Sequence, residues 1–443
     1  MTPEKSGPDV PDGAGLPDTS DDEVAIAAGS RALSLPEDGD SNGIAHPFPQ
    51  RDRNASEVLA SRLVPSPGGG GPIAWSAQSF DEAPFSPGTS RPGEQIYGAL
   101  DLGTNNCRLL LARPSRRGFR VVDAFSRIIR LGEGVSQSGR LSEHAMSRTM
   151  EALKVCAGKL QRHQVSRARL VATQACRVAA NGPAFVTKVK DSFDLDIEIL
   201  TPEIEAHLAV AGCATLIDPS ADFVLVFDIG GGSSEIIWLD MTRLGSRRDV
   251  LTGRSDVNDA IIAWESLPVG VVTLAENFGG RDVTPESFAA MSDAVMRLLT
   301  PFETKHRFRE QMAGKPVHFL GTSGTVTTIA GVMLGLERYD RKRIDGIWLD
   351  VSEINDVTAE LLGQSYEQRV LQPCIGRERA DLVLAGCAIL DAILKLWPAD
   401  RLRVADRGLR EGILMRLMME DGVWRAGRRR RGRSKRSNGT EQS

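Results

Sequence analysis

The chain contains no apolar run approaching the ~20 residues that a membrane-spanning helix requires, so none of its helices is expected to cross a bilayer. Its six cysteines, Cys107, Cys156, Cys176, Cys213, Cys374 and Cys387, form no Cys-x-x-Cys pair and no His/Cys metal spacing. A zinc ribbon or dithiol redox motif is thereby excluded, and the scattered thiols read as reduced core residues of a cytoplasmic protein. The acidic start of the chain lacks the apolar segment of a secretory signal. No Gly-Lys-Ser/Thr follows the glycine turns, and the Rossmann spacing is absent from them, so any grip on nucleotide is of another kind.

What is present divides into three regimes. Residues 1–95 carry 15 acidic and 6 basic side chains together with 13 of the 23 prolines, and show no sustained apolar period. Such a segment buries too little apolar surface to offset its ordering entropy and is expected to be disordered. Residues 425–443 form a second tail, in which eight Arg or Lys fall within the twelve residues Arg425–Arg436. It reads as a solvated tail or as an electrostatic grip on a polyanion. Without interleaved aromatics it offers no base stacking, so nucleic-acid contact would be non-specific. Residues 96–424 hold the folded machinery, expected as one domain over 96–220 and a second over 221–424, with the last helix packing back on the first.

The ordered part opens with a strand from Ile96 ending in Asp101-Leu-Gly-Thr, a return strand from Cys107, and a third from Phe119. Ser142 caps a helix through Leu160, and strands follow at Arg169–Thr173 and Leu195–Leu200. Thr201 and Pro202 start a helix over Glu203–Leu216. The plan then restarts: strand Phe223–Asp228, the turn Ile229-Gly-Gly-Gly-Ser233, and a return strand to Leu239. Two such units point to duplicated α/β domains facing each other. A third glycine turn, Gly321-Thr-Ser-Gly-Thr325, follows the strand Val317–Leu320. The closing elements are a helix Arg377–Leu396, a strand Leu402–Ala405 and a helix Leu409–Met419.

Glycine allows backbone N–H groups to turn toward an anion, so these turns are candidate phosphate cradles. The candidates are Gly103, Thr104, Asn105 and Asn106 in the first, and Gly230, Gly231, Gly232 and Ser233 in the second. Gly321, Thr322, Ser323 and Gly324 make the third. Asp101 and Asp228, at the strand ends, suit a hydrated divalent cation, since hard cations prefer carboxylate and water oxygens. A single Asp-x-Gly is as readily a plain hairpin turn; two matching ones with a third glycine turn favour phosphate. Glu235 suits either a metal ligand or an alternate-face position on its strand. Trp238, Trp264, Trp348 and Trp397 read as packing residues, and His144 and His207 have no second metal ligand at suitable spacing.

The motifs together resemble the Ppx/GppA family of exopolyphosphatases and guanosine pentaphosphate phosphohydrolases. They are Ala99-Leu-Asp-Leu-Gly-Thr-Asn-Asn-Cys-Arg-Leu, Val171-Ala-Thr-Gln-Ala-Cys-Arg177 with Asn181-Gly182, Phe227-Asp-Ile-Gly-Gly-Gly-Ser-Ser-Glu235, Leu267-Pro-Val-Gly270 and Gly321-Thr-Ser-Gly-Thr. The likeness covers 96–420 and matches the short form, without the long helical C-terminal domain. It implies two ribonuclease-H-like domains of the actin-like ATPase superfamily with the active site in the cleft between them. It further implies Glu205 as the general base, Asp228 and Glu235 as Mg²⁺ ligands (with Mn²⁺ as a substitute), and Arg177 as a phosphate contact. Ile204 stands where the family usually has a first glutamate. The implied reaction is hydrolysis of the terminal phosphoanhydride of inorganic polyphosphate or guanosine pentaphosphate. Phosphoryl transfer to an acceptor and non-catalytic sensing of the same polyanions are the competing classes. The family's habit of dimerising leaves a homodimer open.

Overall fold

The computed structural model describes residues 95–116, 118–244 and 256–424. The acidic extension before Gln95 and the basic run Arg425–Arg436 lie outside the described residues.

Two mixed sheets face each other. In the first lobe β1 (Tyr97–Leu102) pairs antiparallel with β2 (Asn106–Ser115), which pairs with β3 (Gly118–Ile128). On its other side β1 runs parallel to β4 (Arg167–Ala172), and β4 to β5 (Ile197–Ile199). The second lobe repeats the plan. There β6 (Phe223–Ile229) pairs antiparallel with β7 (Ser234–Asp240), and β7 with β8 (Ile261–Leu267). It runs parallel to β9 (Val317–Thr322), which leads to β11 (Arg401–Ala405) and the edge strand β10 (Trp348–Asp350). The sheet order β3-β2-β1-β4-β5 recurs as β8-β7-β6-β9-β11, with β10 added antiparallel at the edge of the second. The duplicated α/β architecture expected from the two Asp-x-Gly units is what forms.

Alternation along each strand feeds two layers. Leu100, Leu102, Leu109 and Leu111 face α1 (Glu143–Arg162) and α3 (Gly182–Phe193). Ser142 starts α1 as expected, its hydroxyl accepting from Ala145 N. Leu225, Phe227, Ile236 and Trp238 of the second lobe pack under α5 (Val271–Phe278), α6 (Pro285–His306) and α9 (Val383–Leu396). Trp238 stacks on Phe308 and is fully buried, so the packing reading of that residue holds. All six cysteines are buried and free. Among the described residues no helix is long and apolar enough to cross a membrane.

The opposite faces of the two sheets are covered by α4 (Pro202–Cys213) and α10 (Leu409–Glu420). Ala206, Val210 and Cys213 of α4 pack on Val224, Val226 and Ile237 of the second sheet. Leu409, Ile413 and Leu417 of α10 pack on Tyr97, Ala99 and Leu110 of the first. The two helices meet backbone to backbone: a Cβ on Gly212 would stand 1.9 Å from Gly408 O, and one on Gly412 2.0 Å from Leu208 O. Glycine is therefore required where the chain crosses between lobes and returns. Thr201 caps α4 by accepting from Ile204 N, as its Thr-Pro start predicts.

Three elements depart from the sequence reading. The helix expected from Arg377 begins only at Val383. Residues before it leave the helical path to reach other parts of the structure. Asp381 takes a bidentate contact from Arg130 of the first lobe at 2.8 and 2.9 Å, and Ala380 O accepts from Arg369. Strands β8 and β10 were not expected, although Pro268 follows the first and Asp345-Gly346 precedes the second.

Candidate active site

The phosphate loops close on each other across an interlobe cleft of roughly 780 Å³. Gly103, Thr104, Asn105 and Asn106 form one wall, and Gly230, Gly231, Gly232 and Ser233 the other. The loops are near contact, since a Cβ on Gly232 would lie 2.7 Å from Thr104 Oγ1 and 2.9 Å from Gln174 Cγ. The third turn divides. Thr322 and Ser323 line the cleft, and Ser323 adopts φ 80°, a left-handed conformation uncommon for a residue with a side chain. Gly324 opens onto an adjoining hollow, while Gly321 is buried in β9, where a Cβ would meet the Phe227 ring at 2.7 Å. Gly321 is thus a packing residue of the strand rather than part of the cradle.

Six carboxylates line the cleft; Asp406 and Glu411 are paired with Arg341, and the other four are Asp101, Glu205, Asp228 and Glu235. Asp228 and Glu235 stand directly opposite in the β6–β7 register, which puts both on one face. Burial, then the charges of Glu235 and Asp101, push the Asp228 carboxyl up to about 7. Burial likewise raises Asp101, against the opposing pull of Arg108. Glu235 is raised by burial although Ser266 Oγ donates to its Oε1 at 2.9 Å. Such crowding of oxygen donors has the chemistry of a hard-cation site. Thr104 Oγ1 and Asn105 Oδ1 are buried beside it without a partner among the described residues, two more oxygens of the same kind. Among the described residues no three carboxylate, His or Cys side chains enclose an ion by themselves. An ion held here would complete its shell with water and phosphate oxygens, as Mg²⁺ commonly does.

Glu205 lies in the first turns of α4 and faces the same cleft. Burial, then the charge of Glu235, raises its carboxyl well above the ordinary range, with the Arg177 guanidinium opposing. Arg177 Nη1 donates to Glu205 Oε2 at 2.9 Å and to Leu200 O at 2.8 Å, and Nη2 donates to Gln174 Oε1 at 2.7 Å. Arg177, expected as a phosphate contact, is instead drawn behind the cleft wall and committed to these acceptors. Ile204 joins the apolar cluster beneath α10, which accounts for a hydrocarbon where the family pattern carries a carboxylate.

With this geometry in view, the family model of the Ppx/GppA phosphatase family matches residues 111–421. The chain belongs to the Ppx/GppA phosphatase family. A guanosine-5'-triphosphate,3'-diphosphate pyrophosphatase of Photobacterium profundum is 28% identical over 328 residues, 74% of this chain. The chain spans 60% of that relative's length. The crystal structure of an Aquifex aeolicus Ppx/GppA family member is 28% identical, with a TM-score of 0.59 over 74% of this chain and 98% of its own. An exopolyphosphatase from Cytophaga hutchinsonii shares the fold at 23% identity, with a TM-score of 0.63 over 74% and 99% of the two chains. The two-lobe arrangement is thus that of the Ppx/GppA proteins, the actin-like ATPase fold.

Three cleft-lining arginines of this Ppx/GppA chain escaped the sequence reading; Arg407 is paired with Asp345, and the other two are Arg108 and Arg410. Arg108 stands opposite Asp101 in the β1–β2 register, and Arg410 enters from α10; both line the cleft. Burial holds Arg410 below its ordinary range despite the neighbouring Glu411. Arg108 was accessible from sequence, since the hairpin spacing that sets Glu235 opposite Asp228 sets it opposite Asp101. Arg410 was not, because only the return of α10 brings it in. Glu411, beside it, is already used: it accepts from Gly408 N at 3.0 Å and from Arg341 at 2.8 Å.

Proposed function

We propose that this protein is a hydrolase that removes the terminal phosphate of inorganic polyphosphate, with water activated by Glu205. The observation that carries the reading is the placement of Glu205. A buried carboxylate, hydrogen-bonded by Arg177, faces the Asp228/Glu235 pair and both phosphate loops. A general base needs a proton affinity above that of an ordinary carboxylate, and burial and the charge of Glu235 raise that of Glu205 against the pull of Arg177.

In this reading the water oxygen attacks the terminal phosphorus while Glu205 accepts the water's proton. The bond from that phosphorus to its bridging oxygen breaks, and the bridging oxygen leaves with the electron pair as the new chain end. Gly103 N and Gly230 N close their own turns onto Asn106 O and Ser233 O, so the N–H groups of residues 104–105 and 231–233 donate to the phosphoryl oxygens, and Arg108 and Arg410 hold the flanking negative charge. Asp228 and Glu235, with Asp101 nearby, would hold Mg²⁺ or Mn²⁺, which supplies charge neutralisation when bound.

Guanosine pentaphosphate presents the same anhydride, and the Photobacterium relative's name supports it as the second reading. The deciding experiment compares phosphate release from long-chain polyphosphate and from guanosine pentaphosphate, with Mg²⁺ and with chelator. Faster Mg²⁺-dependent release from polyphosphate is expected. Faster release from the nucleotide installs the second reading. Binding of both without release removes the catalytic one.

A further inference from the structure

The polar network behind Glu205 contains one group that the hydrolytic scheme leaves idle. Gln174 opens the short helix α2 (Gln174–Val178) immediately after β4, and it lines the cleft. Its Oε1 accepts from Arg177 Nη2 at 2.7 Å. A guanidinium has donors only, so the atom facing it must be the amide oxygen, and the orientation of the amide is settled by chemistry. The Nε2 group is what remains, and among the described residues nothing accepts from it. The stem is equally fixed: Gln174 Cγ lies 2.9 Å from the Cβ position of Gly232, so it packs against the second phosphate loop. One guanidinium therefore orients both the Glu205 carboxylate and the Gln174 amide.

We infer that Gln174 is a further catalytic residue, whose Nε2 donates a hydrogen bond to a non-bridging oxygen of the phosphoryl group attacked by the Glu205-activated water. The inference rests on the hydrolase reading above. With Oε1 turned to Arg177, the group of Gln174 left for the cleft is the Nε2 donor, and the anion in this cleft is the phosphoryl group. Arg177 acts as the positioning residue for both first-lobe groups.

The test is steady-state kinetics on Gln174→Ala, Gln174→Glu and Glu205→Gln with the preferred substrate, alongside thermal melting of each. Gln174→Ala is expected to lower kcat about 10²-fold, the scale for a lost transition-state donor, with KM moving less than about threefold because the loop N–H groups persist. Gln174→Glu keeps an acceptor for Arg177 but turns an anionic oxygen toward the phosphate, so it is expected to be slower than Gln174→Ala while melting no lower. A merely structural role predicts the reverse order, and that order overturns the inference, as does a Gln174→Ala kcat within threefold of wild type. If Gln174→Ala fails to fold, the comparison of Gln174→Glu with wild type decides, unimpaired turnover overturning the inference. Wild-type turnover by Glu205→Gln removes the hydrolase reading itself. An inactive Glu205→Gln beside an unimpaired Gln174→Ala removes only the role of Gln174.

Discussion

The two lobes share a plan and differ in what they place on it. In both, a hairpin offers an Asp at the end of its first strand and a facing residue on the second. In the first lobe the pair is Asp101 and Arg108, one charge of each sign. In the second it is Asp228 and Glu235, two negatives whose proximity helps to raise the Asp228 carboxyl to about 7. The first hairpin is therefore suited to phosphate and the second to a cation, from one substitution of type at one register position. The helices that follow the last parallel strands diverge in the same way. Early in α4, Glu205 has a single guanidinium partner and a raised pKa. Early in α10, Glu411 is held low: burial pushes it up, but Arg410, Arg341 and the Gly408 N–H overrule that effect. One glutamate is left reactive, and the other is fully satisfied.

The sharpest way to break this contrast is to neutralise each glutamate in turn. Glu205→Gln should lower kcat on the order of 10²–10⁴-fold with the fold intact. Glu411→Gln should show itself mainly in stability, losing about 1–3 kcal/mol as Arg341 and the Gly408 N–H lose their charged acceptor; urea unfolding measures it. Equal catalytic loss with no stability change in both would erase the distinction. The hairpin pairs come next. Asp228→Asn should raise the Mg²⁺ concentration for half-maximal activity by at least ~10-fold, whereas Arg108→Ala should leave that value in place and raise KM by about tenfold. Metal titrations at saturating substrate separate the two.

A third contrast lies in titration. His318 on β9 takes the place that Arg167 holds on β4, each opposite the hairpin residue four before the Asp. Its Nδ1 accepts from Asp218 N at 3.0 Å, and burial pulls its pKa from 6.5 to about 4. The unfolded chain then takes up the proton near pH 6.5 while the fold refuses it until about pH 4. Its contribution is complete above that window and is lost as the pH falls through it, about 2 kcal/mol by pH 5. Unfolding of wild type and His318→Asn at pH 7 and 5 should show the smaller acid loss in the variant. The smallest expected effect is in the first lobe. Gly158 lies within α1 with nothing within 4 Å of its Cβ position, and Gly158→Ala should add about 1 kcal/mol of stability, read as a rise in Tm.

The parts of this arrangement that local chemistry dictates were legible in the sequence. The Asp-x-Gly turns, the Ser142 and Thr201 caps and the position of Glu205 each depend on residues within a few positions of one another. What was illegible depends on long-range return of the chain. Arg177 reads as a phosphate contact until Leu200, Gln174 and Glu205 are folded around it. Arg410 becomes a cleft residue only because α10 packs on β1. The helix expected from Arg377 is cut short because Asp381 is needed by Arg130, 251 residues away. A tertiary contact overrides propensity there, and no local signal announces it.

The central claim is that water, activated by Glu205, attacks the terminal phosphorus. Single-turnover hydrolysis in ¹⁸O-labelled water, with the products resolved by mass spectrometry, tests it most directly. The account predicts one ¹⁸O in the released orthophosphate, none at the new end of the shortened chain, and no label incorporated on that timescale by Glu205→Gln. Label at the new chain end, or full incorporation by the Glu205→Gln protein, would contradict it.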